Sequence, residues 1–171
     1  MAEKLKAQFL YKRSQTMLND LRSFITRNFG FGDFVFRLPS DIEVMKAGNM
    51  TEFIQSIEEV LIRAIAKYDV SGTRLPGHPG VWVNGAKLAA IGVRISNRVA
   101  THGFAINLNT DLSIFKAIVP CGTPALQVTS LMEQTHEVHS LEDLAFDITT
   151  IFGEVFDMEV IWGKGFLSSE R

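Results

Sequence analysis

Apolar and polar side chains alternate along the middle of the chain with the period of two that β-strands require. Residues 81–83 form a β-branched and aromatic run, and Asn84 with Gly85 directly after it is typical of a type I′ hairpin turn. A returning strand is therefore predicted over residues 87–95. Its period places five side chains on one face, namely Lys87, Ala89, Ile91, Val93 and Ile95.

Other strands are predicted from shorter signals. In residues 103–109, aromatic and aliphatic residues alternate with alanine and asparagine, which predicts a strand with one apolar face. Residues 34–38 and 158–162 are also apolar enough to form strands. Residues 71–79 contain two prolines and two glycines, so they are predicted to form a loop.

Three stretches have apolar residues at helical intervals, residues 3–28, 49–68 and 140–155. The third begins with Ser140 and carries Asp143 three residues later, an arrangement that caps helices. Helices that interleave with strands, some of them joined by tight turns, predict an α/β fold of the α+β sandwich type. In this fold a mixed β-sheet is covered by packed helices.

Composition narrows the classes of function. The chain has 171 residues, 46% hydrophobic and 21% charged, which suits one globular domain. The net charge is −2 and the basic residues are interspersed with acids, so we predict no nucleic-acid partner. We also predict no membrane partner, because no run of 18 apolar residues occurs. A single cysteine and four histidines without a matching ligand pair predict no metal site.

Two residues are candidates for covalent chemistry. Cys121 follows a short apolar run and lies between a proline and a glycine, a setting that suits a nucleophile and equally a small buried thiol. Lys87 lies within a strand pattern, where it is either a solvated strand end or a partly desolvated ammonium. The residues alone leave both alternatives open.

The order and spacing of five segments resemble the octanoyltransferases, also called lipoyl(octanoyl) transferases or lipoate-protein ligase B. These segments are GVWV at residues 80–83, KLAAIGVR at 87–94, THGFAINLN at 101–109, IVPCG at 118–122 and VTSL at 128–131. The resemblance implies the fold shared by biotin and lipoate protein ligases.

It also implies an enzyme. In that family a cysteine takes an octanoyl group from acyl carrier protein as a thioester and passes it to a lysine of a lipoyl domain, the first step of endogenous lipoate synthesis. The resemblance assigns the cysteine role to Cys121 and the proton-moving role to Lys87. It further implies acyl contacts by two segments, which comprise Ala90, Ile91 and Gly92, and Gly103, Phe104 and Ala105.

The implied partners are octanoyl-acyl carrier protein and the lipoyl domains of 2-oxoacid dehydrogenase complexes or the glycine cleavage H protein. A monomer is expected. No cofactor is implied, because exchange between thioesters needs no activation by ATP. An ATP-dependent lipoate ligase is the competing enzyme, but the sequence contains neither a GxxxxGK[ST] loop nor a glycine-rich dinucleotide turn.

The stretch before the first central strand departs from the family. Relatives carry an Arg-Gly-Gly segment that leads into a His-Gly-Pro-Gly-Gln turn, whereas residues 27–33 read RNFGFGD. We therefore predict a divergent helical segment over residues 1–33, an octanoyltransferase-like catalytic domain over residues 34–163 and a flexible tail over residues 164–171. The alternative is a truncated, inactive binding module that recognises a lipoyl domain or acyl carrier protein.

The N-terminal stretch also bears on location. Its basic and amphipathic character predicts a mitochondrial protein, with the cytoplasm as the alternative.

Overall fold

A computed structural model describes residues 6–9, 34–37, 50–96, 99–117 and 126–162. The strands in these ranges are β1 (Lys6–Phe9), β2 (Phe34–Arg37), β3 (Thr73–Leu75), β4 (His78–Val83), β5 (Ala86–Ser96), β6 (Val99–Ile106) and β7 (Glu159–Trp162). The helices are α1 (Met50–Ala66), α2 (Leu131–Thr135) and α3 (Leu141–Phe156), and a 3₁₀ helix spans Leu112–Ala117.

Five strands form an antiparallel sheet in the order β2-β6-β5-β4-β3, and β1 pairs in parallel with β7. The β4–β5 hairpin turns at Asn84 and Gly85, whose φ angles of 50° and 82° are those of the predicted type I′ turn. The structure therefore contains both parallel and antiparallel strand pairs, and helices pack on the five-stranded sheet. The predicted α/β sandwich is confirmed.

The core lies between the sheet and the helices. In the sheet it contains side chains that alternate along β4, β5 and β6, such as Val81, Ala89 and Ile106, all at most 1% exposed. Helix α1 packs against β4 and β5, and α3 packs against α1. Within the described residues, the core is therefore built on the face of the sheet that the helices cover.

The long helices follow from their apolar stripes and caps. The hydroxyl of Ser140 accepts a hydrogen bond from the N–H of Asp143 at 3.2 Å, which confirms the predicted cap of α3. Helix α3 ends at Asp157, which has left-handed φ and ψ. For α1, the sequence predicts a cap at Asn49 with Glu52 three residues later, and Asn49 lies outside the described residues. None of the helices in the described ranges is long and apolar enough to cross a membrane.

Two predictions of secondary structure are wrong. Residues 71–79 are not a loop, because β3 and the start of β4 form a hairpin around Pro76 and Gly77. Gly77 has φ 78°, so the two turn residues that suggested a loop instead reverse the chain within a hairpin. Helix was also predicted over residues 3–28, but Lys6–Phe9 is a strand, held by its pairing with β7. The remaining residues of that stretch lie outside the described ranges.

Candidate active site

One face of the five-stranded sheet carries very small side chains near its centre. Residues opposite each other in an antiparallel pair point to the same side, so the strand register shows which residues share a face. Gly80 pairs with Ala90, Ala90 with Ala105, and Gly92 with Gly103. We call these five residues the small-residue face. None of them carries more than a methyl group.

The register brings together the two segments that the family resemblance assigns to the acyl group. Four of their six residues lie on the small-residue face. The other two, Ile91 and Phe104, pair with each other on the opposite side, where Phe104 is 3% exposed within the apolar core. Any acyl contact made by Ile91 or Phe104 would therefore use their backbones. The acyl-binding role of all six residues stays a prediction.

Gly92 is the most open position of the small-residue face. It is exposed, and none of the described atoms lies within 4 Å of the place where a β-carbon would stand. Helix α1 packs on the other side of the sheet. An apolar chain could therefore lie against the backbone here without displacing a described side chain.

Lys87 also belongs to this side of the sheet, opposite to the side that was predicted. The register of β4 and β5 shifts, because Val81 pairs with Ala89 but Trp82 pairs with Lys87. Leu88 is the extra residue of a β-bulge, and a bulge interrupts the alternation of faces. The prediction that Lys87 shares a face with Ala89 is therefore wrong.

The side chain of Lys87 is half-buried and lies beside Gly80 and Trp82. Its Nζ is 5.2 Å from the centroid of the Trp82 ring. The indole N–H of Trp82 donates a hydrogen bond to the carbonyl of His78 at 3.1 Å. A β-carbon on Gly80 would stand 2.7 Å from Cε of Lys87, which is closer than such atoms approach. The missing side chain of Gly80 therefore makes room for the lysine.

The backbone of Lys87 is bonded to the segment that begins at residue 126. Its N–H donates to the carbonyl of Gln127 at 2.8 Å, and its carbonyl accepts from the N–H of Thr129 at 3.0 Å. Asn107 holds the same segment, because its side-chain amide donates to the carbonyl of Thr129 at 2.9 Å. The N–H of Asn107 donates to the carbonyl of Leu88 at 3.1 Å. Residues 127–129 are thus fixed beside Lys87.

Cys121, the predicted nucleophile, lies outside the described residues. Its position relative to Lys87 therefore stays a prediction. By sequence it precedes Gln127, the residue bonded to the backbone of Lys87, by six positions. The structure brings the other seven predicted site residues onto the adjacent strands β5 and β6.

A cleft of about 1170 Å³ adjoins the segment from residue 126, and its lining contains neither Lys87 nor any part of the small-residue face. Asp111 lies at this cleft, and the backbone N–H of Ser113, followed by its hydroxyl, lowers the pKa of the Asp111 carboxyl. The cleft therefore lies at a different place from the predicted reactive groups. The strand register, in contrast, brings together on β5 and β6 the residues that the family resemblance assigns to the site.

A buried carboxylate holds Gly80 from the helix side. Glu58 of α1 is 5% exposed, and it accepts the N–H of Gly80 at 3.0 Å and pairs with Arg74 at 3.3 Å. The polar pattern of residues 49–68 places Glu58 on the solvated face of the helix, and this prediction is wrong, because these two donors satisfy a carboxylate that the fold buries. Gly80 has φ 136°, a conformation that L side chains rarely adopt.

Sequence reasoning missed Gly80, Trp82 and Asn107. The first two belong to the GVWV segment, which was interpreted only as a strand before a turn. A glycine at the start of such a strand is a signal of close approach that could have indicated Gly80. Asn107 was noted as an amide on the polar side of its strand, but its partner on a distant segment has no local signal.

Comparisons with known proteins identify the family. The family model of the lipoyl protein ligase A/B catalytic domain matches residues 32–153. The octanoyltransferase of Koribacter versatilis is 46% identical over 114 residues, which cover 65% of this chain and 45% of the relative. That of Rubrobacter xylanophilus is 42% identical over 130 residues, which cover 72% and 59%. The chain therefore belongs to the lipoyl protein ligase A/B catalytic-domain family, and the curated relatives that it resembles are octanoyltransferases.

Solved structures agree on the fold. Apo biotin protein ligase from Aquifex aeolicus has a TM-score of 0.55 at 15% identity, over 72% of this chain and 51% of that chain. Lipoate-protein ligase A bound with ATP has a TM-score of 0.56 at 10% identity, over 69% and 51%. The predicted biotin and lipoate protein ligase fold is thus confirmed. The chain spans about half the length of the curated relatives that it matches.

Proposed function

We propose that the chain carries the catalytic centre of an octanoyltransferase, with Cys121 as nucleophile and Lys87 as the group that moves protons. One observation carries the proposal. The register of β4, β5 and β6 places Lys87 on the same side of the sheet as a surface of glycine and alanine. A charged amine beside an open apolar surface suits the transfer of a fatty acyl group.

In the first half-reaction the thiolate of Cys121 attacks the carbonyl carbon of octanoyl-acyl carrier protein. A carbon–sulfur bond forms to Cys121, the bond to the carrier breaks, and the carrier thiolate leaves. Lys87 in its ammonium form supplies the proton to this leaving group. Its positive charge also favours the thiolate of Cys121 before attack, because a free thiol with a pKa of about 8.5 is only a few per cent ionised at neutral pH.

In the second half-reaction the amine of a lipoyl-domain lysine attacks the octanoyl thioester on Cys121. An amide bond forms, the thiolate of Cys121 leaves, and the attacking nitrogen loses a proton. Lys87 takes that proton and regains its ammonium form, so the cycle closes without a net change in the enzyme. The reaction consumes no ATP.

The small-residue face is the proposed site of the octanoyl chain. Gly92 and the alanines beside it leave the sheet backbone accessible, and the saturated chain would cover apolar atoms that are otherwise in water.

The proposed partners are octanoyl-acyl carrier protein as donor and lipoyl domains as acceptors, with the enzyme acting as a monomer. The division at residue 33, the flexible tail and the mitochondrial location stay predictions.

The test is intact-protein mass spectrometry of the full chain after incubation with octanoyl-acyl carrier protein, followed by addition of a lipoyl domain. The wild type should gain one octanoyl mass and then pass it on, and Cys121→Ala should gain none. Lys87→Ala should abolish transfer to the lipoyl domain. Lys67→Ala is the matched control, because Lys67 is exposed and paired with Asp147 on the helix side.

Two results would contradict the proposal. A folded wild type that binds a lipoyl domain but forms no adduct would support the binding-module alternative. Release of pyrophosphate from ATP in the presence of lipoate would instead indicate a lipoate ligase.

A further inference from the structure

We propose that Trp82 is a positioning residue for Lys87, because its ring covers the ammonium group and holds the lysine on the small-residue side of the sheet. The inference rests on the proposed function for the role of Lys87. The contact between the two side chains does not depend on that function and can be measured separately.

The burial of Trp82 is not explained by the apolar core. Its neighbours Val81 and Val83 point into the core, so Trp82 points to the opposite side of β4. Trp82 is 5% exposed, yet it is absent from the cluster of buried apolar residues in the described part of the chain. Within the described residues, the contacts that hold the Trp82 ring therefore lie on the side of Lys87 and not in the apolar core.

The described contacts of the ring are with the side chain of Lys87 and with His78. Trp82 lies directly opposite Lys87 in the register, and Nζ is 5.2 Å from the ring centroid, within the range of a cation–π interaction. The ring is fixed in two ways. Its N–H donates to the carbonyl of His78, and its edge contacts the His78 ring at 6.2 Å between centroids and 78° between planes. The ring is therefore a fixed surface against which the flexible lysine is placed.

Gly80 completes the arrangement, because it lies beside the stem of the lysine. A β-carbon at this position would stand 2.7 Å from Cε of Lys87 and 2.3 Å from the carbonyl oxygen of Ala89. The N–H of Gly80 is held by Glu58 on α1. The helix layer thus fixes the backbone over which the lysine stem passes, and the ring fixes its end.

This arrangement has a consequence for proton transfer. A lysine stem has four rotatable bonds and would otherwise sample many rotamers. The ring face attracts the ammonium and not the neutral amine, so the lysine is held when it carries the proton that the leaving thiolate needs. After it gives up that proton, the attraction is lost and the amine is free to approach the second substrate.

The test compares Trp82→Phe with Trp82→Leu in the full chain. Both variants lose the indole N–H, so the aromatic face is the main difference between them. The readout is the rate at which acetic anhydride acetylates Lys87, measured by peptide mass spectrometry relative to Lys67. We expect Trp82→Leu to raise the relative rate about two- to fivefold, and Trp82→Phe to change it less than twofold. Equal rates in the wild type and both variants would overturn the inference.

A second measurement covers the case in which Trp82→Leu does not fold. The chain has two tryptophans, so a Trp162→Phe background leaves Trp82 as the only indole. In that background Lys87→Met should shift the emission of Trp82, and Lys87→Arg should keep the wild-type spectrum. Identical spectra for the three proteins would overturn the contact.

Measurements of kcat and KM distinguish this inference from the proposed function. With octanoyl-acyl carrier protein as donor, Trp82→Leu should lower kcat about two- to fivefold at unchanged KM, and Trp82→Phe should restore most of it. A change in KM alone would overturn the positioning role. Absence of transfer in the wild type, together with the expected labelling pattern, would refute the proposed function and leave the contact between Trp82 and Lys87 standing.

Discussion

The two sides of the central sheet are built by the same strands and differ in almost every physical property. On the helix side, Val81, Ala89 and Phe104 are at most 3% exposed and pack with α1 and α3. On the other side, Gly92 is exposed and its neighbours are alanines and glycines. Among the described residues, one side therefore supplies the apolar core, and the other is exposed at Gly92, with Gly80 and Gly103 buried nearby.

This difference shows how one strand can serve stability and function at the same time. Alternating positions of a strand point to opposite sides, so large residues can fill the core while small residues keep the other side open. Burial of the large side chains on the helix side stabilises the sheet. The β-bulge at Leu88 then adds a charged group to the open side without a break in the hairpin.

The largest expected effect comes from neighbouring residues on opposite sides of β6. Phe104→Ala should lower the free energy of unfolding by about 3–5 kcal/mol, because it leaves a cavity in the core. Ala105→Ser should lower it by less than about 1 kcal/mol, because it adds one hydroxyl to the open side. Urea unfolding followed by circular dichroism measures both values.

Equal losses from the two substitutions would show that the small-residue side is packed as tightly as the core. In that case the proposed acyl surface would be wrong. If Phe104→Ala does not fold, Phe104→Leu provides a smaller cavity for the same comparison.

A smaller effect, on activity alone, is expected at Gly92. Gly92→Val should lower kcat/KM for octanoyl transfer about tenfold or more, equivalent to about 1.4 kcal/mol, because the branched side chain would occupy the acyl surface. Stability should be unchanged or slightly raised, since valine suits a strand better than glycine. Steady-state kinetics with a thermal unfolding measurement would check both. The control is Thr150→Val, at an exposed position of α3 on the helix side.

Full activity in a folded Gly92→Val protein would place the octanoyl chain elsewhere. The cleft that adjoins the segment from residue 126 would then become the leading candidate.

The smallest effect is expected on the pH dependence of stability, at Glu59 of α1. Hydrogen bonds from Arg74, and next from Arg63, lower the pKa of Glu59 below its ordinary value of 4.5. A carboxyl whose pKa is lower in the folded than in the unfolded state stabilises the fold above the unfolded pKa. That stabilisation is lost as the pH falls from about 5 through the folded pKa. Because the pairs are partly exposed, the loss should stay below about 1 kcal/mol.

Urea unfolding at pH 7 and pH 3 would measure this contribution. Glu59→Gln should flatten the pH dependence slightly, and the difference should shrink in high salt. Glu154→Gln, at another exposed glutamate, serves as the control. A pH dependence that is identical in the wild type and Glu59→Gln would contradict the assignment.

Much of the fold followed from local patterns. The Asn84 and Gly85 turn, the cap of α3 at Ser140 and the apolar stripe of α1 each rest on residues close in sequence. Such signals act through local dihedral preferences and hydrogen bonds, so the turn, the cap and the helix can be predicted from the sequence alone.

Features that depend on distant partners were not predictable. Glu58 resembles any charged residue of a helix surface, and only the approach of Gly80 and Arg74 makes its burial possible. The β3–β4 hairpin was mistaken for a loop because its strands are short and its turn residues are common in loops. The side of the sheet on which Lys87 lies was predicted wrongly, since a strict alternation carries no sign of a bulge.

The sequence by itself determined the α/β class, the positions of the main helices and hairpin, and the family to which the chain belongs. These depend on local propensities and on the order of short segments along the chain. Only the tertiary structure decided that Lys87 lies beside Trp82 and Gly80, on the same side as the small residues of β5 and β6. The physical reason is the strand register, because one extra residue at Leu88 moves a side chain from one side of the sheet to the other.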